Sequence, residues 1–124
     1  MCLLDSVEAW DADAIHCTAA AQGALHPLSR EGAVPAIAAV EYAAQATAVH
    51  GSLLAGNGQS TAGMLAKLSD VVLHADSFPA SGAPLDVRAQ MKARAYSACQ
   101  YAFNVSAGGK PIADGMLSIA LTSA

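Results

Sequence analysis

Two side chains in the first half of the chain carry most of its chemical potential. His26 stands in a loop, and Glu41 lies near the start of a long alanine-rich segment. An imidazole and a carboxyl group can pass protons to and from a substrate, so together they make a general acid–base pair. Gln45 follows Glu41 by one helical turn, a spacing at which it can orient the carboxylate or hydrogen-bond a ligand. Each residue also has a plain structural reading. Glu41 can be a solvated first-turn residue favoured by the helix dipole, His26 an ordinary loop residue, and Gln45 a structural hydrogen-bonder. His50 sits half a rotation round the helix from Glu41, so the two cannot pair within one chain, and a core or interface role follows. His16 and His74 fall in strand-like runs with no acidic or thiol neighbour pattern and read as structural. Asp5 and Asp70 read as strand-end or surface acids, and Tyr42, pointing away from the Glu41 stripe, as core or interface.

Positioning these groups requires one helix and several strands. The apolar run from Cys2 to Trp10, the turn formers Asp11 and Asp13, and the segment Ile15 to Ala21 predict a hairpin. A loop containing Gly23, Pro27 and Gly32 leads to Pro35, which suits a first helical turn because its missing N–H is not needed there. The helix should run to about Leu54 and stop at Gly56-Asn57-Gly58. Apolar character spread round most of its circumference predicts a buried helix, with Glu41, Gln45 and Ser52 as a narrow polar stripe. Four strands should follow. Met64 to Ala75 has a bulge expected near Ser69-Asp70. Leu85 to Ala95 should put Leu85, Val87, Ala89, Met91 and Ala93 inward. Tyr101, Phe103 and Val105 share a face, Gly108-Gly109 make a tight hairpin turn, and Ala113 to Leu121 returns. Sequential hairpins after one helix give an α+β fold in which an antiparallel sheet curls round a central helix, as a single domain over residues 1–124.

Composition narrows the class. Only 13% of the 124 residues are charged and 54% are hydrophobic, a lean surface that points to burial against a partner, with a homo-oligomer as the default. The net charge of −4 and the absence of any basic run argue against nucleic acid. An acidic protein partner would have to be held by a local patch such as Arg88, Lys92 and Arg94. Cys2, Cys17 and Cys99 show no metal-ligand spacing and read as small buried hydrophobes. No apolar run is long enough to span a membrane and no signal-peptide pattern opens the chain, so the expectation is a soluble cytoplasmic protein.

The element order is that of the hotdog fold, and particular residues add to the likeness. His26-Pro27, Val34-Pro35-Ala36-Ile37, Glu41 and Ala44-Gln45-Ala46 resemble the signature of FabZ-type 3-hydroxyacyl-ACP dehydratases. In that family a His-Phe-Pro loop precedes Pro-Gly-Val and then a Glu ahead of Ala-Gln. The wording Val40-Glu41-Tyr42-Ala43-Ala44-Gln45-Ala46, with Leu3-Leu4-Asp5 in the first strand, is closer to the ApeP-like dehydratases of aryl-polyene and related polyketide or fatty-acid gene clusters. The resemblance spans essentially the whole chain. It departs at three points: the His26-to-Glu41 spacing is one residue longer, His-Pro-Leu replaces His-Phe-Pro, and Ala36 stands where glycine is expected.

The resemblance implies dehydration of a 3-hydroxyacyl thioester on acyl carrier protein, without metal or redox cofactor. A shared dimer site is implied, in which His26 of one chain takes the C2 proton and Glu41 of the other protonates the leaving hydroxyl. Backbone amides of Ala36 and Ile37, at the positive end of the helix, would polarise the thioester carbonyl. An apolar surround would raise the Glu41 pKa, as an acid requires. A hotdog thioesterase, or a non-catalytic subunit paired with an active paralogue, are the competing readings.

Overall fold

The computed structural model describes residues 3–20, 27–56, 62–79, 81–95 and 97–122; for 62–66 and 121–122 it describes only the backbone. Along the chain run β1 (Ser6–Trp10), β2 (Ala14–Ala19), α1 (Ala39–Ala55), β3 (Ala62–Leu73), β4 (Leu85–Arg94), β5 (Ala98–Ala107) and β6 (Lys110–Thr122). All pairings are antiparallel, in the sheet order β1-β2-β4-β5-β6-β3. One helix lies against this six-stranded sheet, the arrangement expected of a hotdog domain. The loop between β1 and β2 is fixed by Asp11, whose carboxylate accepts the N–H groups of Asp13 and Ala14. Gly108 and Gly109 both take positive φ, as a two-residue hairpin turn requires, and so join β5 to β6.

Alternation along the strands builds the inner face. Ile15, Cys17 and Ala19 pair in register with Ala89, Val87 and Leu85, which pair in turn with Phe103, Val105 and Ala107, and all nine are buried. The anticipated inward run of β4 ends early. A register shift between Met91 and Ala93 breaks the alternation, so Ala93 is exposed. The bulge expected in β3 is present, between Ser69 and Val72, with Asp70 at φ 54°.

Pro35 precedes a single 3-10 turn, Ala36–Ala38, which passes directly into α1. The helix ends at Gly56, whose φ of 62° is open to glycine and whose N–H donates to the Ser52 carbonyl. Burial all round the helix does not occur. Ala39, Tyr42, Ala43, Ala46, Thr47 and His50 face the sheet, while Glu41, Ala48, Ser52 and Ala55 are exposed on the other side. Alanine accounts for the difference: Ala43 and Ala46 let the sheet come close, whereas Ala48 and Ala55 lose little by facing water.

Two features of the core make direct predictions. A Cβ on Gly115 would lie 3.0 Å from Val71 Cγ2 and 3.1 Å from the Phe103 ring. Gly115→Val should therefore cost about 1–3 kcal/mol through overpacking, read as a lower urea midpoint at unchanged slope. Burial pushes the phenols of Tyr42 and Tyr101 up to about 12, with Asp5 adding to the shift for Tyr42 and Cys99 for Tyr101. The folded state thus favours the neutral phenol. That contribution is complete below the unfolded value of about 10 and is lost as pH climbs through the folded value. In an alkaline absorbance titration these two rings should ionise only above about pH 11, together with loss of the fold.

Candidate active site

Glu41 occupies the first turn of α1, where the helix dipole favours a carboxylate. Its side chain is exposed and opens into a cleft of about 280 Å³. The walls of this cleft are Leu28, Ile37, Val40 and Leu68, with Arg30 also lining it. Ile37 is half exposed, as are Val72 and Leu73 on β3, and Leu68 is only slightly less so. Leu68 and Leu73 lie on the sheet's inner face, in register with the buried Leu117 and Ala113 of β6. Apart from Arg30, the carboxylate therefore faces largely apolar surroundings that the described residues leave uncovered.

The other expected residues separate. His26 lies outside the described residues, so its distance from Glu41 is not defined by this structure. The amide of Ala36 donates to the Asp76 carbonyl at 3.0 Å, and that bond takes it out of the proposed carbonyl-binding pair. The Ile37 N–H has no backbone acceptor among the described residues, which leaves it as the donor at the helix entrance. Gln45 does not turn its oxygen to Glu41. Its Oε1 accepts the Leu3 N–H at 2.8 Å, tying down the segment before β1, and the residue lines a different depression, with Leu4, Val7 and Val49.

The remaining histidines find partners that local sequence did not disclose. His50 is fully buried: its Nε2 hydrogen is donated to the Asp11 carbonyl at 2.8 Å, and its Nδ1 lies 2.7 Å from the Tyr101 hydroxyl. A carbonyl only accepts, so Nε2 carries the hydrogen, and in the neutral ring Nδ1 accepts from Tyr101. His16 contacts Asp86 at 2.8 Å and His74 contacts Asp114 at 2.6 Å, correcting the reading that neither has an acidic neighbour. These carboxylates come from β4 and β6, far off in sequence, and only the register brings them across. Both pairs are partly exposed and contribute little to stability. Cys17 and Cys99 are buried free thiols whose pKa is pushed up by desolvation, so neither is an activated nucleophile. Among the described residues no cluster of three or more His, Cys, Asp or Glu could hold a metal, and no helix is long and apolar enough to cross a membrane.

Comparison with solved structures places the chain among hotdog domains. The dehydratase heterocomplex ApeI:P from Xenorhabdus doucetiae superposes with a TM-score of 0.86 at 22% identity, covering 98% of this chain and 84% of that one. AziG from S. sahachiroi gives 0.72 at 14% identity, over 96% and 91% of the two chains. A mutant of thioesterase PA1618 from Pseudomonas aeruginosa gives 0.71 at 14% identity, over 95% and 81%. At such identities these likenesses establish the fold. No curated protein sequence matches the chain. The model of the ApeP-like family, described as ApeP dehydratase, matches residues 1–123, and the chain belongs to that family.

Proposed function

We propose that the protein removes water from 3-hydroxyacyl thioesters carried on acyl carrier protein, giving the trans-2-enoyl thioester. The observation that carries this reading is Glu41: an exposed carboxyl group on the first helical turn, lining an otherwise largely apolar cleft. A histidine, His26 of a neighbouring subunit, takes the C2 proton. Glu41 delivers a proton to the C3 hydroxyl, which leaves as water while the double bond forms. The N–H of Ile37, at the positive end of the helix and without a backbone acceptor among the described residues, stabilises the enolate-like thioester oxygen.

A second subunit is part of this proposal. Among the described residues β3 is an edge of the sheet with no strand on its outer side, and Val72 and Leu73 near its end are exposed. A long edge strand of this kind invites pairing with another chain. Pairing there would cover Leu68 and Leu73 and close the cleft over the acyl chain. ApeI:P is a heterocomplex, which favours a paralogue as the partner here, with a second copy of this chain as the alternative. The test is incubation with a 3-hydroxyacyl acyl carrier protein, with the chain alone and with a co-expressed paralogue. Enoyl product is expected. Free carrier thiol without enoyl product would instead establish a thioesterase.

A further inference from the structure

The cleft at Glu41 contains one further charged side chain, Arg30. Among the residues lining it, Glu41 is the single carboxylate and Arg30 the single cation. No hydrogen bond or ion pair of the Arg30 side chain is present among the described residues. Glu31, next in the chain, is exposed and is not part of the cleft wall.

The backbone fixes where Arg30 stands. Arg30 and Ala33 exchange both main-chain hydrogen bonds, at 2.6 and 3.0 Å, around a two-residue turn. Glu31 and Gly32 take φ of 52° and 81° there, as a tight turn with two left-handed central residues requires. Beyond the turn, the Phe78 N–H donates to the Val34 carbonyl at 2.8 Å, and the Ala36 N–H donates to the Asp76 carbonyl. The main chain from Arg30 to the helix entrance is thus tied down step by step. Such anchoring holds the Arg30 backbone in one place relative to Ile37 and Glu41 before any substrate arrives.

Charge developing in the reaction gives this cation a use. As the C2 proton leaves, the C2–H electron pair moves toward the thioester oxygen, which becomes enolate-like. That oxygen has two lone pairs, and the Ile37 N–H serves one, because the Ala36 N–H is spent on Asp76. We propose that the Arg30 guanidinium is the second donor to the thioester oxygen, a role that rests on the dehydratase reading of the cleft. The electron pair then returns to re-form the carbonyl, the C2–C3 double bond forms, and the C3–O bond breaks as Glu41 supplies its proton, giving water. Arg30 neither gains nor loses a proton. Charge on the oxygen also offsets the pull of the guanidinium on Glu41, which must keep its proton until the hydroxyl leaves. A cleft of about 280 Å³ suits the reacting end of a thioester. The phosphate of a carrier lies at the far end of the pantetheine arm and stays outside it.

The test uses a 3-hydroxyacyl N-acetylcysteamine thioester, which has neither carrier nor phosphate, and the full-length protein, with its paralogue where turnover needs it. Arg30→Met removes every donor from a side chain that is exposed, so the urea midpoint should not move. Its kcat should fall by about 10²- to 10³-fold while KM stays within about threefold. Wild-type kcat in Arg30→Met, with Glu41→Gln inactive, would overturn the role of Arg30 and leave the dehydratase reading standing. A loss seen only with carrier-bound substrate would make Arg30 a docking residue and overturn the proposal equally. Absence of enoyl product from the wild type in every pairing would remove the dehydratase reading and this role together.

Discussion

Glu41→Gln is expected to abolish enoyl formation while leaving the fold unchanged. The amide keeps the size of the side chain but cannot deliver a proton to the leaving hydroxyl, so turnover should fall by about 10²- to 10⁴-fold. Stability should move by no more than about 0.5 kcal/mol, because the side chain is exposed and no hydrogen bond or ion pair of its carboxylate is present among the described residues. Measuring the enoyl product and the urea midpoint on the same preparation separates the chemical role from a structural one. Wild-type turnover in the variant would remove Glu41 from the mechanism. A large fall in stability would recast it as a helix-start residue whose loss disturbs α1.

His50→Leu should produce the largest loss of stability. The imidazole is fully buried and connects the helix to β5 and to the β1–β2 turn in one step. A leucine fills similar volume but strands the Tyr101 hydroxyl in the core and releases the Asp11 carbonyl. The cost should be about 2–4 kcal/mol. That is a large share of the roughly 5–15 kcal/mol that holds a domain folded. Adding Tyr101→Phe should recover part of it, since removing both polar partners leaves no buried orphan. Urea unfolding of the two single variants and the double variant closes the cycle. A loss below about 1 kcal/mol in His50→Leu would mean that the pair does not hold the helix to the sheet.

Much of the architecture was legible because it rests on local rules. Strand alternation marked Leu85, Val87 and Ala89 as inward and put Tyr101, Phe103 and Val105 on one face, and all six are buried. Pro35 and Gly56 bracketed the helix through backbone constraints that do not depend on surroundings. Gly108-Gly109 announced a turn for the same reason. Glu41 could be singled out because a lone acid in the first turn of an alanine-rich helix is visible in one dimension.

What escaped the sequence depends on distance in space. Alanine favours neither water nor core strongly, so the pattern of α1 could not show which side faces the sheet. Packing settled it, with Tyr42 and His50 on the buried side and Glu41 opposite. The amide of Ala36 looked free until Asp76, on a loop after β3, proved to accept it. Gln45 looked like a companion to Glu41 until Leu3 claimed its oxygen. His16 and His74 acquired carboxylates through strand register, which no local window contains. The chain by itself thus determined the elements and the place of Glu41 at the start of the helix. Only the tertiary structure decided which donors remained free beside that acid, because a hydrogen-bonding group is free or spent according to what the fold brings within about 3 Å of it.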